Sequence, residues 1–275
     1  MTNKKYFFIG IGGIGMSSIA QYLYEKGNTI LGYDASENRS VKILVKKGVE
    51  VINKLSLERI PDYMKEEDVI VVYTPAIPDD NIFLKYFRSN GNNPIFKRSE
   101  ILGEISKQSK CIAVAGTHGK TTTTAIISHL FHSSGIHFKA FIGGIMKCFD
   151  SNYINTGNDY IIVEADEYDR SFLNLNPNYA VITSIENDHL DVYGDFKSLS
   201  ESFQSFANNV KDVLITDAEI NLNKDFSFSI KNDSDYCLDN IDILVNEIRF
   251  DFKTPNNFYS NISANIIGLH NLKNV

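Results

Sequence analysis

The sequence predicts an α/β protein of two domains, each built on a mostly parallel sheet, with an antiparallel ribbon attached to the second. Three observations carry this. Short apolar runs alternate with helical patterns along the N-terminal part of the chain and again from Cys111, the mark of repeated strand-helix-strand units. Each half opens with a glycine-rich turn between an apolar run and a helix start. Beyond Val210 the pattern changes to short alternating runs punctuated by Asn and Asp, such as Phe226-Ser227-Phe228-Ser229-Ile230 and Ile248-Arg249-Phe250-Asp251-Phe252, which read as antiparallel strands.

With 275 residues the chain is long for one average domain and comfortable for two. Its 43% hydrophobic and 22% charged content is that of a globular protein. The net charge of −7 argues against nucleic acid held on a basic surface. An anionic ligand must then be held locally, by glycine loops, helix N-termini and metal ions. Cys111, Cys148 and Cys237 are widely separated with no CxxC pair, which signals neither a disulfide framework nor a zinc knuckle and fits a cytoplasmic protein. Glycines soon interrupt the apolar stretch from Tyr6 to Ile11, so it reads as a buried strand rather than a signal peptide. No stretch approaches the roughly 18 apolar residues of a membrane span.

In order, Tyr6 to Gly10 reads as a strand, Gly15 to Lys26 as a helix and Thr29 to Tyr33 as a strand. A helix over Ser40 to Lys47, a short strand at Val49 to Val51 and an apolar strand at Asp68 to Tyr73 follow. Pro75 and Pro78 end that regularity. A helix near Ile82 to Ser89, the segment Pro94 to Arg98 and a helix near Glu100 to Ser106 complete a first domain over 1–106. The polar run Ser106 to Lys110 reads as the linker to a second domain over 107–275. There the strands Cys111 to Ala115, Lys139 to Ile142, Asp159 to Val163 and Ala180 to Ile185 surround a helix over Lys120 to Ser133. The chain stops at Val275, just after a helix begins, an ending that reads as truncation.

Gly10, Gly12 and Gly15 satisfy G-x-G-x-x-G between strand and helix, and Asp34 ends the second strand 19 residues beyond Gly15. This is the Rossmann-like dinucleotide fingerprint. Its physics is broader than that label: the helix N-terminus binds a diphosphate, and Asp34 accepts from a hydroxyl or an imide. A UDP-sugar satisfies the same requirements, and close strand-helix packing without a ligand is the plain alternative.

In the second domain an apolar strand runs into Gly116-Thr117-His118-Gly119-Lys120-Thr121-Thr122. Backbone N–H groups at such a helix start cradle phosphate oxygens, the lysine neutralises β/γ-phosphate charge, and the Thr121 hydroxyl suits Mg²⁺. The strict P-loop pattern fails, because Val114 stands where its first glycine belongs. The alternative is a glycine turn with an incidental lysine.

The next strand ends in Glu164-Ala165-Asp166-Glu167-Tyr168-Asp169. Four carboxylates in six residues repel one another, and an oxygen-preferring divalent cation resolves the repulsion. A solvated acidic turn is the alternative. The third strand ends in Glu186-Asn187-Asp188-His189-Leu190-Asp191, so one sheet edge, where open α/β sheets bind ligands, presents loop, acids and histidine together. His189 is the histidine nominated as a metal ligand, whereas His129, His132 and His137 read as helix-surface or core residues.

In this order the motifs resemble those of the Mur ligase family. Gly10-Ile11-Gly12-Gly13-Ile14-Gly15-Met16-Ser17 resembles its opening motif, Ala115 to Thr124 its ATP loop and Glu164 to Asp169 its acidic motif. Asn187 to Asp191 and Gly268-Leu269-His270-Asn271-Leu272-Lys273-Asn274 resemble the later two. The resemblance covers essentially the whole chain and implies a UDP-binding domain, an ATPase domain and a third domain absent here. It implies ATP and Mg²⁺ as cofactors, and an amide bond formed through an acyl phosphate of UDP-N-acetylmuramic acid in cytoplasmic peptidoglycan synthesis. By this resemblance Lys120, Glu164 and His189 are catalytic, and Thr121, Glu164 and His189 serve metal. Residues 116–122 with Asn271 hold ATP. Gly10, Gly12, Gly13, Gly15, Met16, Ser17 and Asp34 hold the UDP-sugar.

Within the family the closest resemblance is to the branch whose acceptor is L-alanine, through Asp188-His189-Leu190-Asp191-Val192-Tyr193-Gly194. The absence of lysine from Ser198 to Ala207, where sister ligases carry a carbamylated one, agrees. Tyr168, in place of that branch's usual serine, is shared with the murein tripeptide ligase of cell-wall recycling, which is the alternative. An NAD-dependent oxidoreductase, the alternative from another class, accounts for the first glycine loop but leaves the second and the acids unexplained. Without the third domain, the chain is expected to bind nucleotides without ligating.

Overall fold

The computed structural model describes residues 3–187, 190–230, 233–245, 247–266 and 268–275. The chain divides into two compact units, Met1–Ile105 with Lys139–Asn155, and Ser106–Phe138 with Thr156–Val275.

The first unit runs β1 (Lys5–Ile9), α1 (Ile14–Glu25), β2 (Thr29–Tyr33), α2 (Arg39–Lys46), β3 (Glu50–Ile52), β4 (Ile70–Tyr73), α3 (Ile82–Ser89), β5 (Ile95–Lys97) and α4 (Arg98–Ser106), which crosses the boundary. Its sheet has the order β3-β2-β1-β4-β5 with every pair parallel. The near-continuous apolar strands fit burial on both faces. On one face Phe7 packs edge-on against Phe83 at 5.4 Å, with Phe87 at 5.1 Å, among Ile9, Leu31 and Val71. Asn38 and Asn81 cap α2 and α3 by accepting from Val41 and Phe83 N–H at 3.0 Å each. Because the chain leaves β1 toward β2 and later returns to β4 on its other side, the loop after β1 lies at a switch point, where such sheets hold ligands.

The second unit continues with β6 (Lys110–Ala115), α5 (Lys120–Ser133), β7 (Phe138–Met146), β8 (Ser151–Asn155), β9 (Tyr160–Glu164) and β10 (Tyr179–Ile182). Then come α6 (Leu190–Tyr193), α7 (Phe196–Asn208), β11 (Val213–Asp217), β12 (Phe226–Ser229), β13 (Tyr236–Ile243), β14 (Ile248–Lys253), β15 (Phe258–Ala264) and α8 (Leu269–Leu272). Eight strands of this unit follow the order β15-β14-β13-β12-β11-β10-β6-β9. The sequence reading placed 226–230 in the antiparallel ribbon, but β12 pairs in parallel with both β11 and β13, and the antiparallel ladder begins at β13. Alternation reports which face is buried and says nothing about strand direction.

Most of the β7-β8 hairpin clusters with the first unit although the chain reaches it from the second. Buried polar groups hold it there. Asn152 donates to the Ile14 carbonyl at 2.5 Å and the Ser17 hydroxyl at 2.9 Å and accepts from Gln21 at 2.8 Å, while Ser151 donates to Gln21 at 3.1 Å. Tyr22 stands edge-on to Phe141 and Tyr153. Local periodicity carries no sign of contacts so distant in sequence. Among the described residues no helix is long and apolar enough to cross a membrane.

Candidate active site

The chain holds two glycine loops, one in each unit. In the first, the N–H groups of Gly10 and Ile11 both donate to the Tyr33 carbonyl, and Gly13 donates to Gly10. Gly12 donates to Asp34 Oδ2 at 2.8 Å, and a Cβ at Gly12 would lie 2.7 Å from that oxygen. The other Asp34 oxygen accepts from the backbone and hydroxyl of Ser36. Asp34 therefore braces the loop and keeps only its remaining lone pairs for a ligand. With Gly10 to Gly13 satisfied internally and no side-chain cap on α1 among the described residues, the donors aimed outward are the first-turn N–H groups of Ile14, Gly15 and Met16.

Two residues of the predicted sugar site stand behind the loop. Met16 and Ser17 are buried, and Ser17 donates its N–H to Gly13 O and its hydroxyl to Ile14 O while accepting from Asn152. Their side chains support α1 rather than face a ligand. Gly15 has another role than turn-making: a Cβ there would run into the Arg98 guanidinium.

In the second unit β6 delivers Gly116 at φ +132°, where a Cβ would overlap the Thr183 hydroxyl and lie 2.9 Å from Ser184 N. The strand end beyond β10 fastens the loop: Thr183 donates to the carbonyls of Ala115 and His118, Thr117 N–H donates to Ser184 O, and His118 N–H donates to Ser184 Oγ. Neither Thr183 nor Ser184 stood out in the sequence. Gly119, at φ +83°, is the N-cap of α5 and has no side chain with which to cap it. Thr123 N–H donates to Gly119 O, so the open donors at the helix start are those of Lys120, Thr121 and Thr122.

Lys120 Nζ donates to Gly116 O at 2.6 Å, Thr117 O at 3.3 Å and Glu167 Oε1 at 2.9 Å, with Glu167 Oε2 also at 2.9 Å. Thr121 Oγ1 donates to Glu164 Oε1 at 2.9 Å, so open helix-start N–H groups, a cation and an oxygen pair of the kind a hard divalent ion prefers sit at one strand edge. The four acids do not converge as the sequence reading expected. Glu164 faces Thr121, fully buried Glu167 faces Lys120, and Asp166 accepts from Tyr168 N–H on the surface. After β9 the chain enters a short helical stretch in which Asp169 and Arg170 adopt left-handed conformation. Among the described residues no group of three His, Cys, Asp or Glu is placed to hold a metal ion. Asp188 and His189 lie outside the described residues.

Tyr193 donates to the Glu167 carbonyl at 2.5 Å, and burial pushes its phenol up to about 12, reinforced by the Glu167 charge. His118 is exposed, 3.6 Å from Glu186, while His129, His132 and His137 are also exposed. From the late motif, Asn271 N–H donates to Gly268 O and its carbonyl accepts from Asn274 N–H. Asn274 reaches the loop: a Cβ at Gly119 would overlap its side-chain oxygen, and its carbonyl accepts from Thr123 Oγ1. Beside these strand ends a cavity of about 400 Å³ is lined by Ser184, Glu186, Asp217, Asn221 and Lys273 among others.

The family model described as Mur ligase family, catalytic domain, matches residues 5–110, and the Mur ligase middle domain matches 114–275. The chain is 42% identical to the UDP-N-acetylmuramate–L-alanine ligase of Christiangramia forsetii, covering 98% of this chain and 60% of that protein. It is 40% identical to its namesake in Flavobacterium johnsoniae with the same coverage. Among solved structures, the UDP-N-acetylmuramate-alanine ligase of Thermotoga maritima superimposes with a TM-score of 0.88 at 30% identity, over 98% of this chain and 62% of that one. The Neisseria meningitides ligase for L-alanyl-γ-D-glutamyl-meso-diaminopimelate gives 0.86 at 20% identity, over 99% and 91%, a likeness of fold. The chain thus spans about 60% of the length of the curated relatives it matches. With two models of one family meeting end to end across both glycine loops, the chain belongs to the Mur ligase family.

Proposed function

We propose that this chain carries the UDP-sugar and ATP domains of a ligase that joins L-alanine to the lactyl carboxylate of UDP-N-acetylmuramic acid through an acyl phosphate, in cytoplasmic peptidoglycan precursor synthesis. The observation that carries the reading is the second loop: open N–H groups at the start of α5, Lys120 within it and Thr121 paired with Glu164. In this reading the N–H groups of Ile14 to Met16 hold the UDP diphosphate and those of Lys120 to Thr122 hold the ATP phosphates. Lys120 lies against transferring charge. The hydroxyl of Thr121 and the carboxylate of Glu164 fit a Mg²⁺ ion, which would neutralise β- and γ-phosphate oxygens there. His189 and Asn271 remain nominated for metal and adenine by resemblance.

Tyr168 favours a second reading, a tripeptide acceptor in place of alanine. The test is ADP release with UDP-N-acetylmuramic acid and either acceptor, on a form of the protein as long as its relatives. Turnover with the tripeptide and none with alanine would overturn the choice. Residues 1–275 alone are expected to bind both nucleotides without forming the amide. Alanine-dependent ADP release by that polypeptide would refute this.

A further inference from the structure

We propose that Glu167 is a positioning residue that holds the Lys120 ammonium at the γ-phosphate end of the loop, so that a buried carboxylate sets the preference for ATP over ADP. The inference deepens the ATP-site reading above and rests on it.

Glu167 is fully buried, and both its oxygens face Lys120. A buried ion pair is a poor device for stability, since desolvating each ion costs several kcal/mol and an apolar pair of similar volume often does as well. It is a good device for fixing a charge in space. A lysine side chain carries about 2 kcal/mol of rotamer entropy, and here Glu167, Gly116 O and Thr117 O surround its ammonium and select one position within the loop. Without Glu167 only two neutral carbonyls would remain.

The backbone that carries the carboxylate is itself held. The Glu167 carbonyl accepts from the Tyr193 hydroxyl and from Arg170 N–H at 2.9 Å. The Arg170 guanidinium lies 5.5 Å over the Tyr193 ring. Asp169 and Arg170, at φ +53° and +54°, are consecutive non-glycine residues in left-handed conformation, a cost of about 1–2 kcal/mol each. Strain of this kind persists where the surroundings over-determine a geometry. The turn, the tyrosine and the arginine together aim one carboxylate at one lysine.

The test measures the dissociation constants of ATP and ADP, with Mg²⁺, for residues 1–275 and for Glu167→Asp, Glu167→Gln and Tyr193→Phe, alongside thermal melts. Glu167→Asp keeps the charge and retracts it by one methylene. It should cut the ratio of ADP to ATP dissociation constants about tenfold, roughly the effect of losing 1.4 kcal/mol at the γ-phosphate. Glu167→Gln should do at least as much, and Tyr193→Phe, which keeps the ring and removes only the hydroxyl, should shift the ratio the same way by less. A ratio unchanged in the folded variants, or affinities for ATP and ADP that fall in parallel, would overturn the proposal, because a merely structural role would produce those results. Failure of the unaltered chain to bind ATP would instead sink the ATP-site reading, and this inference with it.

Discussion

Replacing Asn152 by alanine removes the centre of the polar network between the hairpin and α1. Three hydrogen bonds go: those to Ile14 O and Ser17 Oγ, and the one from Gln21 Nε2. Ser17 keeps its bond to Ile14 O, and Gln21 keeps Ser17 O and the Ser151 hydroxyl, so no partner is wholly orphaned. At about 1 kcal/mol for each lost buried bond the expected cost is about 3 kcal/mol. In a unit of this size that lowers the melting temperature by about 10 °C. The chain has no tryptophan, so far-UV circular dichroism is the assay of choice. Asn152→Asp sets a carboxylate oxygen against the Ile14 carbonyl and should lose more. A fall of less than about 3 °C for alanine, or additivity between Gln21→Ala and Asn152→Ala, would refute the network, since contacting residues are expected to couple.

Gly116→Ala meets both a left-handed backbone and the Thr183 hydroxyl, and should abolish ATP binding by calorimetry. Gly135→Ala, at φ +68° in open space, should cost about 1 kcal/mol and leave binding intact; equal behaviour of the two would contradict the reading of the loop. Burial pushes the Cys111 thiol up to about 12, so at pH 8 a disulfide reagent should label exposed Cys148 at once and Cys111 only on unfolding. Asp195 accepts from Ser198 N–H at the start of α7, which holds its carboxyl below the usual range. A depressed folded-state value gives stability that is present above the unfolded value near 4 and lost as pH falls through the folded one. Asp195→Asn keeps the acceptor without the titration, so its deficit at pH 7 should shrink on acidification, and a constant difference in urea melts would refute this. Finally, UDP-N-acetylmuramic acid and not NADH should raise the melting temperature, by the equivalent of about 2.7 kcal/mol at a hundred times its dissociation constant; the reverse would favour the oxidoreductase reading.

What the sequence made legible was local. The first helix, α5 and both glycine loops follow from adjacent residues, glycine next to helix formers, and α5 runs over the expected Lys120–Ser133. The third strand was expected to reach Ile185 but ends at Ile182, because Thr183 and Ser184 leave the sheet to fasten the phosphate loop. Nothing in an apolar run announces that its last residues bond across to another strand's loop. The partition of the acids was equally hidden, since it is set by partners distant in sequence, Thr121 for Glu164 and Lys120 for Glu167. Helix α7 was within reach: Asp195 as N-cap, with Leu199, Phe203 and Phe206 at helical spacing, is a readable start and face.

The two loops obey one rule and differ in charge. In both, glycine is required by crowding, from Asp34 and Val41 at Gly12 and from Thr183 and Ser184 at Gly116, and in both the donors left open belong to a helix's first turn. Beside the first loop stands a carboxylate, Asp34, spent on bracing the loop. Inside the second stands a cation, Lys120, spent on its own loop and on Glu167. A helix N-terminus carries about half a positive charge, which suits the two charges of a diphosphate flanked by neutral groups. A triphosphate concentrates more charge and needs more than dipoles. The first loop alone is therefore equally consistent with a dinucleotide, and among the structural observations it is the second, with lysine, threonine and glutamate together, that supports the proposed ligase reading over an oxidoreductase.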